Sequence, residues 1–198
     1  MRVALAAVIV GAVMCSASTV AQAFRPAPGI RVPQTFRAAS PGAPQTIGNP
    51  KPSQHGSVSQ RIADTTITVE YNRPVARGRE LFGRLVPYGR IWCPCADDAT
   101  TVEFSTTVKI DGHDLPAARY SLWTEPHPDR WTVIFNKSAN AWHTRYPEGQ
   151  DALRLQVTPR TGSHMETLAF YFPMVDGRKG ELVLHWGTVV VPLSIEVP

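Results

Sequence analysis

The chain has 198 residues, 20 basic and 16 acidic, three cysteines and 18 prolines. Four of the basic residues, Arg2, Arg25, Arg31 and Arg37, precede Lys51, so residues 51–198 carry 16 basic against 16 acidic side chains. The high overall isoelectric point therefore belongs to the front of the chain, which argues against a nucleic-acid-binding face on the folded part.

Arg2, the apolar run Val3 to Met14 and then Ala21-Gln22-Ala23 read as a signal peptide over residues 1–23, cleaved after Ala23. A membrane span needs about 20 apolar residues, and Ser16, Ser18, Thr19 and Gln22 interrupt this run too early, so no stable membrane anchor is expected. Met14 before Cys15 argues against a lipoprotein anchor. The expected location is periplasmic or extracellular. From Phe24 to Pro50 the chain holds six prolines, three glycines and no acidic residue. Such a segment buries too little apolar surface to offset its ordering entropy, and reads as a flexible linker over 24–50.

Residues 51–198 suit one domain with a single core. Short alternating runs separated by turn signals predict strands. Thr66 to Tyr71 alternates after an Ala63-Asp64 turn. Arg79 to Leu85 reads as a short turn of helix before Pro87. Val102 to Ile110 reads as one long strand ended by Asp111-Gly112. Tyr120–Glu125 and Trp131–Lys137 flank Pro126-His127-Pro128-Asp129 as a hairpin. Leu153–Val157, Thr167–Phe172, Leu182–Trp186 and Val189–Val197 follow in the same style. The expected fold is all-β: one antiparallel β-sandwich or jelly-roll-like domain of about eight or nine strands. Trp131 and Trp186 are predicted core residues. His185 alternates with Leu184 and Trp186 and is expected to face away from the core.

Once Cys15 leaves with the leader, Trp92-Cys93-Pro94-Cys95-Ala96-Asp97-Asp98 holds the remaining thiols. A local disulfide, a metal clip and an inert corner are all open. On a strand, residues i and i+2 lie about 6.5 Å apart at Cα, near the upper limit for a disulfide, and a turn at Pro94 would bring them closer. Redox catalysis would need an exposed, acidified thiol, and no Lys or His neighbours the pair in sequence. As thiolates, Cys93 and Cys95 would fill half of a tetrahedral site and favour copper or zinc, with His55 or His113 as a further ligand. The six histidines show no paired ligand spacing.

Asp97 and Asp98 are adjacent and would point to opposite sides of a strand, so they do not make an acid/base pair. In a loop they cap the backbone of Thr100 or Thr101, or pair with Arg73, Arg79 or Arg90. No Gly-x-Ser-x-Gly elbow, dinucleotide fingerprint or phosphate loop is present, so no nucleotide cofactor is expected. Trp142 lies with His143, Arg145 and Tyr146 in the loop from Ser138 to Gln150, long enough to carry function. Exposed tryptophan beside arginine suits a glycan or peptide.

Several stretches in order carry a family resemblance: Tyr71-Asn72-Arg73-Pro74, Gly78 to Gly83, Leu85 to Trp92, Ala99-Thr100-Thr101, Leu115-Pro116-Ala117 and Trp131 to Lys137. Over Ser53 to Val197 the chain resembles the secreted bacterial domain-of-unknown-function family DUF2911. The resemblance implies an exported, mostly β domain and brings no activity with it. Members commonly read tryptophan, arginine, threonine, glycine where this chain has Trp92-Cys93-Pro94-Cys95, so the thiols are a departure from the pattern. A second departure is Ala118, where members usually carry glycine.

The combined expectation is an exported binding or structural module of the envelope rather than an enzyme. Its ligand face comprises Arg73, Trp92, Asp97, Asp98 and Trp142, with Arg73 meeting an anionic group and the tryptophans stacking. Its expected partner is a small molecule, a glycan or an envelope protein, and not nucleic acid. The alternatives are a metal or thiol-redox protein using Cys93, Cys95 and His55, and an envelope-polymer hydrolase using Asp97 or Asp98.

Overall fold

The computed structural model describes residues 51–198; the expected signal peptide and linker lie outside the described residues. The described chain is built from strands, with no helix among them. In order they are β1 (Gln54–Ile62), β2 (Thr65–Arg73), β3 (Thr101–Phe104), β4 (Val108–Ile110) and β5 (His113–Leu115). Then come β6 (Arg119–Pro126), β7 (Trp131–Asn136), β8 (Asp151–Val157), β9 (Arg160–Asp176) and β10 (Lys179–Glu196). They form a six-stranded sheet ordered β1-β2-β3-β6-β7-β8 and a four-stranded sheet ordered β5-β4-β10-β9. Every pairing between these strands is antiparallel, as the short turns and alternating pattern require.

The sheets pack face to face through one core. Ile67, Val69, Phe104, Leu122, Val133 and Phe135 come from the six-stranded sheet, and Val108, Ile110, Phe170, Leu182, Leu184, Leu193 and Ile195 from the other. Each set occupies alternate positions of its strands, so one face of each sheet is apolar and the other is left for loops or water. Tyr71 crosses between the layers: its ring meets Phe170 edge-on at 4.9 Å, and its hydroxyl accepts the Phe170 N–H at 3.1 Å. Trp131 and Trp186 are core residues, as their alternation implies.

Four expectations are corrected. Val102 to Ile110 is two strands: β3 lies in the six-stranded sheet, β4 in the other, and Ser105 to Thr107 carries the chain between them. Arg79 to Leu85 forms turns instead of a helical turn. Gly83 has φ 91°, in the left-handed region, and Val86 N–H bonds to Leu81 O at 2.8 Å, a wider loop than an α-helix closes. The segments Leu182–Trp186 and Val189–Val197 are one strand, β10, kept continuous through a bulge at Gly187 (φ 59°). Finally, β1 was not expected as a strand, because its sequence is polar and its exposed side is that of a sheet edge.

Candidate functional site

The outer face of the six-stranded sheet is not left to water at β6 and β7. Every residue of β7 is buried. Its inner positions Trp131, Val133 and Phe135 belong to the main core, while Ile134 joins Trp123, Cys93, Cys95 and Ala99 in a second, smaller apolar cluster. Ile91, Ala141 and Tyr146 pack against it. The corner from Pro87 to Asp98 and the loop from Ser138 to Gln150 therefore form a cover over this part of the sheet.

Hydrogen bonds tie the cover down. Trp92 and Thr124 exchange backbone bonds of 2.7 and 2.8 Å, which add the corner to the sheet edge-wise at β6. Asn136 is fully buried; its amide donates to Pro147 O at 2.8 Å and to Asp151 Oδ1 at 2.9 Å, and its oxygen accepts Ser138 N–H at 3.0 Å. Tyr146 hydroxyl also donates to Asp151. Burial and the bonded carboxylate push the Tyr146 phenol up to about 12. Corner and loop are joined by Ala99 N–H to Ala141 O (3.0 Å) and His143 N–H to Asp97 O (3.1 Å).

Cys93 and Cys95 are bonded to each other, with Cα atoms 5.3 Å apart. This is below the strand spacing, as a turn at Pro94 requires. Thr100 hydroxyl donates to Pro94 O at 2.9 Å and Cys95 N–H to Cys93 O at 2.7 Å, so the turn is closed inside the cover. Asp97 follows at φ 65°, a conformation short acids tolerate better than most residues.

Two clefts flank the Ala141-Trp142-His143 ridge. The first, of about 490 Å³, is lined by Arg77, Arg79, Trp92, Cys95, His143 and Trp186 among others, and none of its lining residues is acidic. Trp92 and Trp186 stack there with ring centroids 5.9 Å apart and planes 12° from parallel. Arg79 is aimed by its own loop: Nε donates to Ala76 O at 2.8 Å and Nη2 to Val75 O at 2.6 Å. Arg79 and Trp186 also border a smaller hollow of about 320 Å³ with Tyr88 and His164. The second cleft, of about 520 Å³, is lined by Asp98, Thr101, Arg119, Asn140 and Trp142 with intervening alanines. Its Arg119 donates to Glu70 Oε2 at 2.6 Å and Thr101 Oγ1 at 3.1 Å.

The five expected ligand residues do not converge on one place. Trp92 lines the first cleft, and Asp98 and Trp142 line the second. Asp97 lies on the joint between corner and loop, its carboxylate 3.3 Å from Lys51 Nζ rather than on an arginine or a backbone cap. Arg73, at the end of β2, donates through Nε to Leu168 O at 3.2 Å and lines neither cleft. Asp98 is the one carboxylate lining the second cleft among the described residues.

His55 is exposed on β1, opposite Asn72, and His113 is exposed at the start of β5. Among the described residues no three His, Cys, Asp or Glu side chains are grouped as a metal site, and the bonded sulfurs of Cys93 and Cys95 would have to be reduced before they could ligate. His185 lies outside the main core cluster, as its place between Leu184 and Trp186 implies, yet it is buried: its ring bonds to Tyr171 hydroxyl at 3.1 Å and Ser163 O at 3.0 Å.

Arg77, Arg79, His143 and Trp186 were not expected at a shared site, nor Arg119 and Asn140 at the other. The one local signal was Arg77-Gly78-Arg79, two cations about a glycine, which takes the left-handed region (φ 67°) in the turn that follows the end of β2 at Arg73.

Fold and clefts together define an antiparallel β-sandwich domain with a disulfide-closed cover and two ligand-sized clefts on either side of one ridge. The chain belongs to the family described as Protein of unknown function (DUF2911), which it matches over residues 53–195. No curated protein and no solved structure matches it.

Proposed function

We propose that the protein is an exported binding module of the cell envelope, and that its cation-lined cleft takes a small anionic ligand carrying a flat apolar part. The carrying observation is the pairing of an aromatic wall with two guanidinium groups that lack a carboxylate partner. Neither Arg77 nor Arg79 has a carboxylate in ion-pair contact among the described residues, and residues 1–50 contain no Asp or Glu to supply one. Arg79 keeps Nη1 for a ligand while its other nitrogens hold the loop. A guanidinium fixed in this way meets a carboxylate or phosphate at low entropic cost.

Glu166 stands nearby with its carboxylate engaged by Arg77 N–H and by His164 Nε2 at 2.9 Å. Those bonds, the histidine's first, lower its pKa, so it stays ionised and occupied. It tempers the field of Arg79 without closing the cleft. The leader over residues 1–23 supports export, and the neutral folded part supports a specific cleft over a general electrostatic surface.

Calorimetric titration of the full-length exported protein with galacturonate, a sugar phosphate and glucose tests this reading. Binding of the charged sugars and not of glucose is expected, with about tenfold or greater weakening in Arg79→Gln and a further loss when Arg77→Gln is added. Equal binding of glucose, or charged-sugar binding untouched by both substitutions, overturns it.

A further inference from the structure

The second cleft surrounds the one tryptophan that packing does not consume. Of the five tryptophans, Trp123, Trp131 and Trp186 are buried and Trp92 is half-buried, whereas Trp142 is 47% exposed. Its exposure is not that of a loose loop. Trp142 bridges Asp98, its carbonyl accepts Arg145 N–H at 2.8 Å, and the residues on either side are bonded to Ala99 and Asp97. The indole also sits edge-on against His143, ring centroids 5.2 Å apart. A large apolar face is thus held out to solvent on fixed backbone, so its ordering has been completed before any ligand arrives.

What borders that face has a definite chemistry. Asp98 offers acceptors, Asn140 both donors and acceptors, Thr101 a hydroxyl and Arg119 a donor fork whose charge Glu70 already offsets. A rim of mixed donors and acceptors around an aromatic plate fits a pyranose, whose C–H face stacks on the ring while its hydroxyls meet the rim. Net positive charge is lacking here, so the sugar is a neutral one. A peptide bound by strand addition would need a free sheet edge, and the edge strands β1, β8, β5 and β9 contribute nothing to this cleft.

The ridge joins this cleft to the first. Consecutive residues Trp142 and His143 line different clefts and their rings pack edge-on against each other, so a single residue step of the ridge separates the two linings. We infer that Trp142 is the platform of a second subsite, and that the ligand is an acidic glycan lying across the ridge, a charged sugar in the arginine cleft and a neutral neighbour on Trp142. This inference rests on the anionic-ligand reading of the first cleft.

The test compares galacturonate with an aldobiouronic acid, a neutral sugar joined to a uronic acid, on the full-length exported protein. The disaccharide is expected to bind about three- to tenfold tighter, the range of a single aromatic contact. Trp142→Ala should erase that gain and leave galacturonate binding unchanged, and Trp142→Tyr should keep part of it; an unchanged melting temperature verifies that both variants fold. If the disaccharide gains nothing, or Trp142→Ala weakens both probes alike, the second subsite is overturned while the first cleft stands. If neither probe binds, both readings fall together. An acidic dipeptide showing the same Trp142-dependent gain overturns the glycan assignment.

Discussion

Trp92, from the corner beside the disulfide, lies ring over ring on Trp186, from the middle of β10 in the opposite sheet. Phe82 meets both edge-on, at 6.0 and 6.2 Å, and Trp131 at 4.9 Å. Cover, turn and both sheets thus share one aromatic knot, which is also a wall of the arginine cleft.

Removing Trp92 should therefore act on stability and binding together. Trp92→Ala is expected to cost about 3 kcal/mol, the lower part of the range for deleting a large packed aromatic, because the ring is half-buried. A fall in the urea midpoint at unchanged m-value measures it. The near-ultraviolet dichroism from the stacked indoles should be lost. Retention of that signal would show that Trp92 is not its source.

Asn136 is the peg of the loop. Asn136→Ala strands the groups now bonded to it, Pro147 O, Asp151 and Ser138 N–H, and should cost about 1–3 kcal/mol. The loss should be local before it is global: amide exchange over Ser138 to Gln150 accelerates in the variant while β2 and β10 keep their protection.

Tyr146 gives the fold an alkaline limit. Its pKa rises from 10.0 unfolded to about 12 folded, through burial first and the Asp151 bond second. Below pH 10 its contribution is fully present; as pH rises from 10 to about 12 the unfolded chain releases its proton first, and stability falls. Tyr146→Phe should lower stability by about 1 kcal/mol at neutral pH and flatten the alkaline decline. A residue of that decline should persist from Tyr120, whose phenol burial also pushes up. Unfolding midpoints across this window check the slope.

The disulfide closes a very short loop, so it removes little entropy from the unfolded chain. Replacing both Cys93 and Cys95 with Ala should cost about 1–2 kcal/mol and a few degrees of melting temperature. Thiol titration of the denatured parent should reveal two more sulfhydryls after reduction than before, over and above Cys15 wherever that residue is retained. A thiol count unchanged by reductant would remove the bond.

Much of the sandwich was legible because half-buried strands announce their period. The Tyr120–Lys137 hairpin, the strand at Thr66 and the core places of Trp131 and Trp186 all follow from alternation and turn residues. The crossing at Ser105 to Thr107 was not, for a physical reason: Val102, Phe104, Val108 and Ile110 are all buried, so the period-two pattern runs in phase through the break. Nothing local marks the change of sheet. His185 faces away from the main core as alternation implies, yet it is buried, because β10 is covered on both faces near Trp186, which alternation does not reveal. The clefts were the least legible part. Arg79 and Trp186 share a wall across more than half of the domain, and only the completed fold brings them together.

The separateness of the small apolar cluster has a bearing on how such a domain changes. Cys93, Cys95, Ala99, Trp123 and Ile134 meet behind β6 and β7, apart from the cluster that joins the two sheets. Trp92 apart, which reaches into the main core, substitutions at the corner or ridge need only satisfy that handful of neighbours, while the framework beneath keeps its own register. The covering layer can thus be refitted like an interchangeable tool head, and Cys93-Pro94-Cys95 is one way of clamping it.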